Sequence, residues 1–193
     1  DSWPMFRHDP SHSGYTNNSD STNSAKLLWK YKTFGMIIAS PTIANDLVFF
    51  GSRDWDVYCL NSSNGNLVWI YSTTGEIHSS CAVYNNSVFV GSDDGYLYCL
   101  DKTTGTLFWK SIIGGKIRSS PVILDNRIFV GSGDHDVFCI NSSNGNRIWS
   151  YSTLMGIQSS LALSNGIIYF SSDDYFVYAL NSTTGDEIWR THT

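Results

Sequence analysis

Apolar and polar positions along this chain run in short alternating bursts separated by turn residues, and the bursts return in the same order every 40 residues. The segments at 48–60, 88–100, 128–140 and 168–180 read VFFGSRDWDVYCL, VFVGSDDGYLYCL, IFVGSGDHDVFCI and IYFSSDDYFVYAL. Each is followed by Asn or Asp, a Ser/Thr-rich turn and a glycine (Gly65, Gly105, Gly145, Gly185). A tryptophan comes next in every unit (Trp69, Trp109, Trp149, Trp189), and Trp29 stands one period ahead of the first. No insertion breaks the spacing, so the periodicity is legible within the single chain.

Within one period the pattern predicts four strands, which in the second unit fall at 77–83, 87–91, 96–100 and 106–111. Each is short, rich in β-branched and aromatic residues, and bounded by turn formers. Asn85-Asn86 and Asp125-Asn126 tolerate left-handed backbone angles, and in Asp93-Asp94-Gly95 the glycine supplies positive φ at a hairpin tip. In the turn from Asp101 to Gly105 the Asp side chain bonds backbone N–H groups, and Asn61, Asn141 and Asn181 play the same part. Four strands in about 40 residues describe one blade of a β-propeller. The expected fold is therefore all-β: four antiparallel four-stranded blades at 34–73, 74–113, 114–153 and 154–193, after a leader at 1–26 and an extra outer-type strand at 27–33. A blade buries its two faces only by stacking on its neighbours. Trp29, Trp69, Trp109, Trp149 and Trp189 fit that packing role, because a broad indole fills an interface while its N–H reaches a backbone acceptor.

Composition narrows the function classes. Charged residues are 15% of the chain and aromatics 15%, a mix suited to many short strands with polar turns. The net charge is −5 with no basic cluster, which argues against nucleic acid as a partner. No apolar run reaches the length of a membrane span. Cys59, Cys81, Cys99 and Cys139 form neither a CxxC motif nor an adjacent pair, so neither a zinc framework nor a dense disulfide framework is expected. Cys59, Cys99 and Cys139 share one repeat position, filled by Ala179 in the last unit, and read as small core residues. Sequons at Asn17, Asn61, Asn85, Asn141 and Asn181 permit surface glycosylation.

The stretch from Gly91 to Trp109, GSDDGYLYCLDKTTGTLFW, resembles the pyrroloquinoline-quinone-like repeat. That repeat is found in quinoprotein alcohol dehydrogenases and in the outer-membrane assembly lipoprotein propeller. The opening Ser2-Trp3-Pro4-Met5-Phe6-Arg7-His8-Asp9-Pro10, continuing to Ser13-Gly14-Tyr15, is similar to the start of prokaryotic surface proteins built from this repeat, notably archaeal ones. The resemblance implies a ring of about seven or eight blades. Four blades are then about half of an eight-bladed propeller, either as a fragment or as one half of a homodimeric ring. The quinone enzymes imply a planar pocket with a Trp floor, an adjacent-cysteine lid and a calcium ion. The Cys-Cys pair has no counterpart here, so no catalytic or cofactor-binding residue is carried over and no cofactor is expected.

Candidate sites come from the repeated and the variable positions. Asp54, Asp94, Asp134 and Asp174 recur at the hairpin tips; oxygen-rich turns suit hard cations, which makes calcium the candidate ion, and Asx-type turn capping explains the recurrence without it. Ile38, His78, Arg118 and Gln158 vary where the framework repeats, ahead of each inner strand, and are expected at the channel or its rim as ligand candidates. Arg53, Trp55, His135 and Tyr175 vary at the loop tips and suit a protein-contact surface. No paired carboxylates and no nucleophile elbow are readable. His8 and His12 fall in the leader, and His192 at the end of the last unit. The expected function is a non-catalytic binding or scaffold module, exported or on the cell surface, with a protein or glycan partner. The alternative is a domain of a quinone-dependent oxidoreductase whose cofactor site is incomplete in this chain.

Overall fold

A computed structural model of the chain describes residues 4–7, 9–11 and 26–193. Ser2, Trp3, His8, His12 to Tyr15 and Asn17, singled out above in the leader, lie outside these residues. The first blade is β1 (Thr42–Ala44), β2 (Leu47–Gly51), β3 (Asp56–Asn61) and β4 (Leu67–Ser72). The second is β5 (Ala82–Tyr84), β6 (Ser87–Gly91), β7 (Tyr96–Asp101) and β8 (Leu107–Ile112). The third is β9 (Val122–Leu124), β10 (Arg127–Gly131), β11 (Asp136–Asn141) and β12 (Arg147–Ser152). The fourth is β13 (Ala162–Ser164), β14 (Ile167–Ser171), β15 (Phe176–Asn181) and β16 (Glu187–His192). Each blade is an antiparallel meander with its strands in sequence order.

The two middle strands of the first three blades are buried on both faces, so alternate residues feed different cores, while those of the fourth are partly exposed at Tyr169, Ser171 and Val177. Phe49, Val57 and Cys59 of the first blade pack with Val88, Val90, Tyr98 and Leu100 of the second. Phe89, Leu97 and Cys99 then face Ile128, Val130, Phe138 and Ile140. Phe129, Val137 and Cys139 face Ile168, Phe170, Tyr178 and Leu180. The repeated cysteines thus enter three separate interfaces, unpaired and buried. Cys59, Cys99 and Cys139 lie directly across from Trp69, Trp109 and Trp149, each beside a bulge. The small side chain leaves room for the indole.

The tryptophans link neighbouring blades by one repeated contact. The Nε1–H groups of Trp29, Trp69, Trp109 and Trp149 donate to the carbonyls of Ser62, Lys102, Ser142 and Ser182, at 2.8, 3.0, 3.2 and 3.2 Å. Each ring lies against the glycine that closes the same turn. At Gly105 (φ +71) an added Cβ would meet the Trp69 ring at 2.7 Å, so this position requires both a left-handed backbone and the absence of a side chain.

Two expectations need correction. The inner strands are shorter than the apolar run: β5 begins at Ala82, not at residue 77. The backbone before it is committed elsewhere, since Ile77 N–H donates to Ser52 O of the first blade and Glu76 O accepts from Asp93 N–H. The segment at 27–33 joins no sheet. Its ladder partner would be the middle strand of a preceding blade. It nevertheless occupies an outer-strand seat, with Trp29 and Tyr31 packed on Val48, Phe50, Tyr58 and Leu60.

The leader touches the inner edges of the blades. Pro4 O accepts from Val83 N–H at 2.6 Å, and Pro10 O from Leu163 N–H at 2.8 Å. Met5 is buried in the core between the second and third blades. These contacts satisfy donors on inner strands that have a sheet neighbour on one side alone.

Candidate functional site

The face carrying the β2–β3, β6–β7, β10–β11 and β14–β15 hairpin tips is also where the connectors cross from one blade to the next. Backbone bonds join the two sets: Arg53, Asp93, Gly133 and Asp173 N–H donate to Met36, Glu76, Lys116 and Gly156 O. The tip aspartates reinforce this joint. Asp94 accepts from Thr74 N–H and Oγ1, Tyr96 N–H and the Tyr98 hydroxyl, at 3.0, 3.0, 3.1 and 2.7 Å. Asp54 accepts from Phe34, Gly35 and Asp56 N–H and from the Tyr58 hydroxyl. Asp174 accepts from Leu154 and Phe176 N–H and from the Tyr178 hydroxyl. Burial pushes all three carboxyls up, but these donors outweigh it and hold them below the ordinary aspartate value. Desolvation and the Asp174 charge push the Tyr178 phenol up to about 12.

Asp134 differs. Phe138 stands where the other blades have tyrosine, and the connector there is Gly114-Gly115 in left-handed conformation. Gly114 N–H turns to Gly95 O, and among the described residues no donor reaches the Asp134 carboxylate. Three of the four aspartates are thus ringed by donors rather than by further oxygens. Among the described residues none of the four joins a cluster of metal-ligating side chains.

The variable connector and tip residues assemble into an ionic ladder across three blades. Arg53 grips Glu76 with Nε and a terminal nitrogen at 2.9 and 3.1 Å. Glu76 also meets His78 Nε2 at 2.9 Å, and His78 lies 3.7 Å from Asp93. Arg118 closes the run with a two-pronged contact to Asp93 at 3.1 and 2.8 Å, and Lys116 adds a contact at 3.5 Å. Hydrogen bonds from Arg53 and His78 lower the Glu76 carboxyl to about 2. Desolvation raises Asp93, yet the Arg118 hydrogen bond and charge leave it lowered. Glu76, His78 and Asp93 have the donor types and spacing of a three-ligand cation site. Both carboxylates are already held by guanidinium groups, so the ladder is self-neutralising.

His78 and Arg118 enter the ladder, whereas Ile38 and Gln158 are exposed beside it. Arg53 is in the ladder, while Trp55 and Tyr175 project with exposures of 53% and 68%. Trp55, His135 and Tyr175 sit in left-handed conformation at φ 76, 78 and 70, where the second blade has Gly95. Glu76, Asp93 and Lys116 were not singled out from sequence. The signal that finds them is opposite charge at an offset of 23 or 25 residues, as in Arg53–Glu76 and Asp93–Arg118.

The fold and this face define the class: a four-bladed segment of a β-propeller. The sequence belongs to a PQQ-like repeat family, since residues 54–193 match the profile described as outer membrane protein assembly factor BamB. No curated protein matches significantly. BamB from Moraxella catarrhalis superposes with a TM-score of 0.76 at 22% identity, over 86% of this chain and 51% of that one. The quinohemoprotein alcohol dehydrogenase ADHIIG from Pseudomonas putida HK5 gives 0.88 at 16% identity, over 100% of this chain and 40% of that one. The quinohemoprotein alcohol dehydrogenase from Comamonas testosteroni gives 0.87 at 16% identity, over 99% and 41%. The chain spans about half the length of these proteins or less, and at such identity the likeness is one of fold.

Proposed function

We propose that this chain is a non-catalytic binding module of an exported, cell-surface-associated protein, and that it engages a protein partner through the hairpin-tip face. One observation carries the reading. Arg53, Glu76, His78, Asp93, Lys116 and Arg118 on that face pair with each other, while Phe34, Met36, Ile38, Trp55, Leu154 and Tyr175 are 53% exposed or more around them. An apolar and aromatic rim around charges already paired with each other is the make-up of an interaction surface. The left-handed Trp55, His135 and Tyr175 add to this, because a bulky residue is kept where glycine would be less strained. Membership in a family described as an outer membrane assembly factor supports export and a protein partner. No helix among the described residues is long and apolar enough to cross a membrane.

Two observations speak against a quinone cofactor bound through the repeated tryptophans or the cysteines of this chain. Trp29, Trp69, Trp109 and Trp149 place their rings against glycine and their N–H groups on backbone carbonyls, so none is free to floor a planar ring. The four cysteines are buried and unpaired in blade cores. The test places a photo-crosslinking side chain at Trp55 or Tyr175 in cells making the protein. Protein adducts that disappear when the other tip position is changed to Gly support the reading. Adducts to glycan alone move the partner class. Quinone-dependent absorbance with dye reduction by an alcohol, after adding pyrroloquinoline quinone and calcium, overturns it in favour of an oxidoreductase domain.

A further inference from the structure

Each blade passes from its third strand to its outer strand through a tight turn, and three of these turns open on a glycosylation sequon: Asn61-Ser62-Ser63, Asn141-Ser142-Ser143 and Asn181-Ser182-Thr183. The fold uses one half of each asparagine amide and leaves the other. Asn61 Oδ1 accepts from Ser63 N–H and Oγ–H at 3.0 and 2.6 Å. Asn141 Oδ1 accepts from Ser143 N–H at 2.8 Å, and Asn181 Oδ1 from Thr183 and Thr184 N–H at 2.8 and 3.1 Å. All of these bonds go to oxygen. Among the described residues none is donated by the three Nδ2 groups, the atoms that carry a sugar. Beside them Ser63, Asn64, Ser143, Asn144, Thr183 and Thr184 are exposed. A substituent on Nδ2 therefore breaks no contact of the turn.

The three turns share one face. β3, β11 and β15 each run from a hairpin tip to a sequon turn over six residues, about 20 Å at about 3.3 Å per residue. The sequons thus lie at the end opposite Trp55, His135 and Tyr175. Two positions on the same face supply contrasts. Asp101 makes the equivalent turn in the second blade, accepting from Thr103 and Thr104 N–H at 2.8 Å each, but a carboxylate has no nitrogen to modify. Asn85 heads another sequon, Asn85-Asn86-Ser87, in left-handed conformation at φ 54. There Ser87 belongs to β6, paired with Tyr84 and Asp101, and no hydrogen bond joins it to the Asn85 side chain.

We infer that Asn61, Asn141 and Asn181 carry N-linked glycans, so that the face opposite the hairpin tips is sugar-coated on the first, third and fourth blades. The co-reactant is a glycan linked through phosphate to a lipid, delivered by a transferase. Nδ2 forms a bond to the anomeric carbon, the bond from that carbon to the phosphate oxygen breaks, the lipid phosphate leaves with its electron pair, and Nδ2 gives one proton to a base of the transferase. The coat keeps macromolecules from the sequon face and leaves the tip face bare for contact. This rests on the reading above only in placing the chain outside the cytoplasm.

The test sends the full chain through export behind a supplied signal peptide, in a host with N-linked glycosylation, and maps the sites by mass spectrometry of its peptides. Asn61, Asn141 and Asn181 are expected to carry glycan and Asn85 to stay bare. Asn61→Asp, Asn141→Asp and Asn181→Asp each remove one glycan mass while keeping the turn that Asp101 makes. Ser63→Ala removes the Asn61 glycan with the amide still in place. Asp101→Asn completes a sequon with Lys102 and Thr103 and adds a glycan to the second blade. A chain bare at all three sites, with Asp101→Asn also bare, overturns the inference. Equal occupancy at Asn85 overturns the turn as the selecting feature. The export reading fails separately: a native chain that fractionates with the cytoplasm removes that reading, and the native glycans with it, whatever the supplied signal allows.

Discussion

Asp94 and Asp134 occupy the same place in adjacent blades, and the structure gives them unequal work. Replacing Asp94 with Ala removes the acceptor for two backbone N–H groups and two hydroxyls. The exposed Thr74 donors recover water, but Tyr98 is 2% exposed and its hydroxyl loses a charged acceptor in a buried setting. A buried hydroxyl left unpaired costs about 1–3 kcal/mol, and bonds to a charged acceptor run about 1.5–3 kcal/mol each. With water replacing the exposed donors, Asp94→Ala is expected to cost about 3 kcal/mol. Asp134→Ala is expected to cost about 0.5 kcal/mol or less, the range of an ordinary surface change, since no donor meets its carboxylate. Urea unfolding followed by tryptophan emission measures both, provided the m-value is unchanged. Tyr98→Phe, which gives the second blade the side chain of Phe138, supplies the control. In that background Asp94→Ala should cost about 1–2 kcal/mol less, a coupling read from the double-mutant cycle. Equal costs at Asp94 and Asp134, or no coupling with Tyr98, would refute the idea that these carboxylates staple connector to tip.

Other expectations follow from the same contacts. Asp54, Asp94 and Asp174 have folded-state values below their unfolded ones, so the stability they contribute is present above roughly pH 4 and lost as pH falls through the lower folded values; the urea midpoint should hold from neutral pH to about 5 and then drop, less steeply in Asp94→Ala. His135→Gly should stabilise by about 0.5 kcal/mol, because relief of a left-handed backbone worth about 1–2 kcal/mol exceeds the added freedom of the unfolded chain; a lowered melting temperature would contradict this. Gly105→Ala should cost about 2–4 kcal/mol, since the new methyl meets the Trp69 ring and the backbone stays at positive φ; a neutral result in urea unfolding would mean the indole seat is loose.

What the sequence made legible is what repeats. The tryptophans, turn glycines and buried cysteines recur at one spacing, and each falls where stacked blades require it. Strand limits were less legible at the inner edge. Residues 77–80 look like strand because Ile77 is apolar and fully buried, yet its N–H is bound by the neighbouring blade's tip. Residues 27–33 have strand composition but lack the partner that would make them a ladder. Local pattern reports propensity and burial, not the identity of the hydrogen-bond partner.

The ionic ladder escaped for a related reason. A comparison of repeats aligns equivalent positions, so Arg53 is set beside Asp93 and Glu76 beside Lys116, and each column reads as unconstrained variation. The contacts run between columns, from one blade's tip to the next blade's connector. Viewed along that diagonal, charge reversal at the tip is accompanied by charge reversal in the connector, and loss of charge at Gly133 by loss of charge at Gly156. Apolar stacking cannot supply such discrimination, because the blade faces present nearly the same residues in every unit. Order among near-identical blades must be encoded where they differ, and the tip–connector diagonal is where differing residues of neighbouring blades meet.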